Sequence, residues 1–150
     1  MTSVGWERST TSQMHQTGAM TPDETVTEFI HRVTAGDLDG ACELVTDDVE
    51  YDNVPMGKNH GRAELKAFLE PMVVGLDEVE WTVHRQAATG AVVMNERTDT
   101  FRAQGAEMAI PVCGVFELTA DGRISLWRDY FDMAVVNEGI AALTAAAGDD

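Results

Sequence analysis

Between residues 79 and 131, apolar and polar side chains alternate along four runs separated by turn signals, and this constrains the chain more than any other feature. The first run sets Val79, Trp81 and Val83, with Arg85 as a further possibility, against Glu80, Thr82 and His84. The others cover residues 91–101, 108–118 and 123–132. A period of two marks strands, and Thr89-Gly90, Gly105 and Asp121-Gly122 supply the turns of a long antiparallel meander. Its last arm, Trp127-Arg128-Asp129-Tyr130-Phe131-Asp132, puts Trp127, Asp129 and Phe131 on one face and Arg128, Tyr130 and Asp132 on the other. A carboxylate between two aromatics is costly to bury, so Asp129 needs a partner or a proton.

What precedes the meander is mainly helical. Thr21-Pro22-Asp23-Glu24 has the pattern of a capped helix start, followed by Val26, Phe29, Ile30 and Val33 at helical spacing. Leu38, Ala41, Leu44 and Val45 predict a second, shorter helix, and residues 49–55 a first strand with Tyr51 and Asn53 on one face, closed by Pro55. Leu65, Phe68, Leu69, Met72 and Val73 form the stripe of an amphipathic helix starting near Gly61, with His60 in the loop before it. Residues 138–147 predict a last helix. Residues 1–20, including Trp6 and His15, read as a flexible tail, and residues 21–150 as a single domain. The expected fold is α+β: a curved, mostly antiparallel mixed sheet wrapped over N-terminal helices to form a cone with an internal pocket.

Composition narrows the function. With 26 acidic and 10 basic residues the formal charge is -16, which argues against a nucleic acid or an anionic membrane as partner. No long apolar run or signal-peptide pattern is present, and Cys42 and Cys113 lack metal or redox spacing, so the expectation is a cytoplasmic protein with reduced, buried thiols. His31 stands alone, and a metal site is not expected. Without GxGxxG, Walker or GxSxG patterns there is no sequence support for a nucleotide cofactor or a nucleophile-elbow serine. The chemistry then falls to side chains alone, without a cofactor.

Arg97 and Asp99, two apart on the second run, share a face with Asn95 and Phe101. Arg97 can bridge Asp99 and Asp129 because its five donors form a fixed fork. Tyr51 and Asn53 would join this group from the first strand, and Ile110 and Val112, with Phe101, Trp127 and Phe131, would wall a pocket for a small hydrophobic ligand. Two buried carboxylates around one Arg are not both readily ionised, which suits one to act as acid and the other as base. The same spacing also fits an internal ion-pair ladder holding strands together.

The segments Tyr51-Asp52-Asn53, Glu96-Arg97-Thr98-Asp99, Gly114-Val115-Phe116 and 127–132, in this order, resemble the limonene-1,2-epoxide hydrolase family. That resemblance implies a cystatin-like or nuclear-transport-factor-2-like cone and a cofactor-free hydrolysis of a small hydrophobic epoxide. It implies Asp129 as the base acting on water, Tyr51 and Asn53 as the groups holding that water, Asp99 as the acid on the epoxide oxygen, and Arg97 as the bridge. A homodimer is expected as well, both from the resemblance and because the outer sheet face and the Ala-rich C-terminal segment need cover. Isomerases, dehydratases, polyketide cyclases and non-catalytic small-molecule binding modules use the same fold, so these remain alternatives.

Overall fold

The computed structural model describes residues 19–148. The expectation of a flexible tail, with Trp6 and His15, lies outside the described residues except at Ala19 and Met20. Helix α1 (Pro22–Thr34) starts as anticipated, with the Thr21 hydroxyl accepting from the Glu24 N–H and Pro22 at the first helical position. Its buried stripe, Val26, Phe29, Ile30 and Val33, packs into the core. Helix α2 (Leu38–Cys42) is capped by Asp37 and is shorter than expected.

Strand β1 (Val45–Asn53) begins four residues ahead of the expected Val49 and takes Val45 from the helix. Its polar beginning, Thr46-Asp47-Asp48, hides the strand from any alternation count. What fixes it is pairing: β1 runs parallel to the last strand, with Val45 opposite Ile124 and a register shift before Glu50. Strand β2 (Gly57–His60) was not anticipated, and His60 belongs to it rather than to a loop. This edge strand has no apolar pattern to read, and it forms by backbone pairing with β1. Helix α3 (Gly61–Val73) then lays Leu65, Leu69 and Val73 onto the core.

The meander follows as β3 (Glu78–Thr89), β4 (Val92–Ala103), β5 (Ala106–Leu118) and β6 (Ile124–Tyr130). Gly90 and Gly122 take positive φ in the connecting turns, where a side chain would be strained. The last strand ends at Tyr130, short of the expected Asp132, because the Asp132 carboxylate accepts from the Ala134 N–H and starts helix α4 (Met133–Ala147). That helix therefore begins five residues before Glu138. The six strands form one mixed sheet in the order β2-β1-β6-β5-β4-β3, antiparallel except for β1 with β6. It is curved and unclosed, with helices packed against it, as the α+β expectation required. Pro111 is tolerated inside β5 because it lies beyond Cys113, where the pairing with β6 ends.

Inward positions of the meander carry the core. Trp127 stacks against Tyr51 at 4.0 Å and Phe116 at 5.9 Å between ring centroids, with Phe29 edge-on at 5.2 Å. Cys113, expected buried, is exposed because its odd position on β5 faces outward, while Cys42 is half-buried. No helix among the described residues is long and apolar enough to cross a membrane.

Candidate active site

Strand register explains how residues distant in sequence meet. Asn53 is directly opposite Asp129 across β1 and β6, Asp129 opposite Gly114 across β6 and β5, and Gly114 opposite Asn95 across β5 and β4. One row thus runs across four strands, all inward. Arg97 and Asp99 occupy the next inward positions of β4, so the guanidinium reaches Asp129 by passing over Gly114. A Cβ at residue 114 would sit 2.5 Å from Arg97 Nη1 and 2.9 Å from both Asn95 Oδ1 and Asp129 Oδ1. Glycine is the residue that lets this crossing happen.

Arg97 is 1% exposed and every nitrogen of its head donates to a side chain. Nε donates to Asp99 Oδ1 at 2.8 Å, Nη2 to Asp99 Oδ2 at 3.2 Å and to Asp129 Oδ2 at 2.5 Å, and Nη1 to Asn95 Oδ1 at 3.1 Å. Asn95 is itself held through its Nδ2, which donates to Gln86 Oε1 at 3.1 Å. The second oxygen of Asp129 accepts from Trp127 Nε1 at 2.8 Å. Each carboxylate is therefore fixed in orientation at both of its oxygens.

Electrostatics separates the members of the cluster. Burial pushes the Asp99 carboxyl up from 3.8 to about 6; Arg97 opposes this, and Asp129 adds to it. Burial also works against the charge of Arg97, but Asp129 and Asp99 outweigh it and hold the guanidinium above its ordinary range. The Tyr51 phenol is raised well above its usual value, first by burial and then by Asp129, so it remains a neutral donor. Asn53 Nδ2 is buried and meets no acceptor at hydrogen-bonding geometry among the described residues, though the Asn53 side chain lies near enough to Tyr51 to pull the phenol's pKa down against burial.

These groups form the polar end of a cavity of about 450 Å³. Tyr51, Asn53, Asp99 and Asp129 line it, with Arg97 buried behind the two carboxylates. Of the expected wall residues, Phe101, Ile110, Val112 and Phe131 line the cavity, and Phe131 does so from the connection between β6 and α4. Trp127 is a correction: it lies behind Asp129 and Tyr51, not in the wall, because its indole is drawn inward by stacking and by the bond to Asp129. The rest of the wall is apolar, with Phe68, Met72 and Leu76 on one side and Val136, Ile140 and Leu143 of α4 on another. Among the described residues no group of three or more His, Cys, Asp or Glu is arranged to hold a metal ion.

Sequence reasoning missed Gly114 as the crossing point, Trp127 as a donor to Asp129, and Trp81, which lines the cavity. The signal for Gly114 was available, since a glycine amid alternating apolar residues marks a close approach.

Residues 20–141 match the family described as the limonene-1,2-epoxide hydrolase catalytic domain. The chain belongs to the limonene-1,2-epoxide hydrolase family. Epoxide hydrolase EphG of Mycobacterium tuberculosis is 36% identical over 115 residues, which is 77% of this chain and 76% of that protein. A solved structure of an LEH-like epoxide hydrolase from M. tuberculosis superposes with a TM-score of 0.70 at 33% identity, covering 86% of this chain and 96% of that one. A structure described as a SnoaL-like polyketide cyclase from Shewanella putrefaciens has a TM-score of 0.71 at 16% identity, with 82% and 98% covered. That likeness is one of fold alone. Within the limonene-1,2-epoxide hydrolase family match lie all four segments on which the sequence resemblance was drawn.

Proposed function

We propose that this limonene-1,2-epoxide hydrolase-family enzyme adds water to a small hydrophobic epoxide in one step, without cofactor or covalent intermediate, and releases a vicinal diol in the cytosol. The observation that carries this reading is one buried guanidinium bridging two carboxylates at the polar end of an otherwise apolar cavity. Asp129, fixed by Trp127 and Arg97, has lone pairs left to accept a proton from water. Tyr51 and Asn53 lie beside it, and the unpartnered Asn53 amide can hold that water. Asp99, whose raised pKa favours the acid form, faces the same cavity and can deliver its proton to the epoxide oxygen.

In the proposed step the water oxygen bonds to an epoxide carbon as the carbon–oxygen bond on its far side breaks. The water proton goes to Asp129 and the Asp99 proton goes to the leaving oxygen, so one molecule of water is added overall. Solvent returns the proton balance, leaving Asp129 ionised and Asp99 protonated. Arg97 stays charged throughout and holds both carboxylates at fixed separation, which is how positioning lowers the barrier.

Incubation with a panel of terpene, cyclic and aryl epoxides, followed by chromatographic detection of diol, tests the reading. Diol is expected from at least one hydrophobic epoxide. Rearranged or cyclised product in its place would favour a cyclase or isomerase of the same fold, and saturable binding without product would favour a binding module.

A further inference from the structure

Three buried side-chain polar atoms among the described residues have no hydrogen-bond partner: Thr46 Oγ1, Asn53 Nδ2 and Trp81 Nε1. Two of these residues line the cavity, and register places them differently. Asn53 is directly opposite Asp129, whereas Trp81 is directly opposite Asp99. Each carboxylate thus has, opposite it in the sheet, a cavity-lining residue with an unpartnered buried donor. The Asn53 amide, beside the proposed base, is suited to water. The indole N–H beside the proposed acid has no such assignment.

Trp81 is an unusual member of its strand. Along β3 it is the one buried residue, 8% exposed, and its neighbours Glu80 and Thr82 face solvent. Directly paired residues on adjacent antiparallel strands have Cβ atoms roughly 4.5–5.5 Å apart, so the indole and the Asp99 carboxyl share one corner of the cavity. The Trp81 ring lies over the Arg97 guanidinium, with Cζ 5.2 Å from its centroid, and packs edge-on against Phe101 at 6.3 Å. These contacts use the ring and leave its N–H free. Trp127, by contrast, spends its N–H on Asp129. Buried indole N–H groups usually find an acceptor. Trp81 lines the cavity and no acceptor for its N–H is present among the described residues, so an acceptor can come from what enters the cavity.

We propose that Trp81 is a further catalytic residue whose indole N–H donates a hydrogen bond to the epoxide oxygen while Asp99 protonates it. The inference rests on the epoxide-hydrolase reading. An epoxide oxygen has two lone pairs, so it can accept from both groups at once. Negative charge grows on that oxygen as its bond to carbon breaks, and a fixed donor in an apolar wall stabilises charge where it develops. Trp81 keeps its proton throughout, and only the Asp99 proton is transferred.

The test replaces Trp81 with benzothienylalanine, in which sulfur takes the place of the N–H and the ring keeps its size, and in parallel makes Trp81→Phe. Cyclohexene oxide, whose single oxygen is that of the epoxide, is the probe. Expected is a fall in kcat of about tenfold or more in both variants, with KM changed by less than about twofold. Wild-type kcat in the benzothienyl variant would overturn the role of Trp81. So would a loss confined to epoxides bearing a second oxygen, since Trp81 would then read a substituent. Wild-type enzyme that yields no diol from any epoxide would instead remove the hydrolase reading on which the inference stands. Should the variants not fold, titration of the wild-type protein with unreactive tetrahydropyran, followed by NMR, reports directly: the Trp81 indole N–H, assigned through its contact with Phe101, should move downfield. An unmoved signal on saturation would overturn the proposal.

Discussion

Asp129 is held by Trp127 and Arg97, so Asp129→Asn changes little in volume but removes the proton acceptor. We expect a loss on the order of 100-fold or more in kcat with an unchanged circular dichroism spectrum, and a variant with near-normal turnover would take the base role from this residue. Asp99 carries the pH dependence. Its carboxyl is pushed up to about 6, so the acid form is lost as pH rises through that value, and kcat/KM should fall toward alkaline pH. A rate profile flat between about pH 5 and about pH 8 would contradict this. The sign for stability is the same. Between 3.8, where the unfolded chain releases this proton, and about 6, where the folded one does, the folded state binds more protons, so this group stabilises less as pH rises. At this scale the sequence was readable where spacing decides: two residues apart on a strand is enough to put Arg97 and Asp99 on one face. It was silent on Trp127, because alternation tells which face a side chain takes but not whether it ends in the cavity wall or behind it.

Elements supply the alignment, and Gly114 is where alignment is most vulnerable. Adding a methyl group there meets Arg97 Nη1 at 2.5 Å, in a site where the guanidinium has no freedom to move. Gly114→Ala should cost about 1–3 kcal/mol of stability by denaturant titration and lower kcat at least about tenfold, because Arg97 must shift from one carboxylate. Native stability and turnover together would show that the row across the four strands is looser than its geometry. The four strands of the meander were legible because each carries its own period of two and its own turn. β2 was not, being a short edge strand of polar residues whose only reason to be extended is β1. The start of β1 was hidden likewise, since its parallel pairing with β6 is a contact between distant parts of the chain. The early start of α4 follows from a local cap at Asp132, a signal outweighed in reading by the strand-like alternation that precedes it.

For the whole molecule, the outer sheet face carries Met94, 49% exposed, and Tyr130, 48% exposed, with Val115 opposite Met94 and Cys113 opposite Tyr130 on the strand between them. We expect a homodimer that covers this face, and light scattering at micromolar concentration should give twice the 16.3 kDa of the chain; a mass of one chain would contradict it. The overall fold was legible because helices first and a meander afterwards leave few ways to cover one sheet. What the molecule does with its cavity is tested most directly by following oxygen. A single turnover in water labelled with heavy oxygen, with enzyme in excess over epoxide, separates attack by water from attack by a carboxylate, which would form an ester hydrolysed later. With Arg97 and Trp127 occupying the carboxylate oxygens, water is the expected nucleophile, so the label should appear in the diol of the first turnover and none in the protein. Unlabelled diol from that turnover, or label in a peptide containing Asp99 or Asp129, would contradict the account.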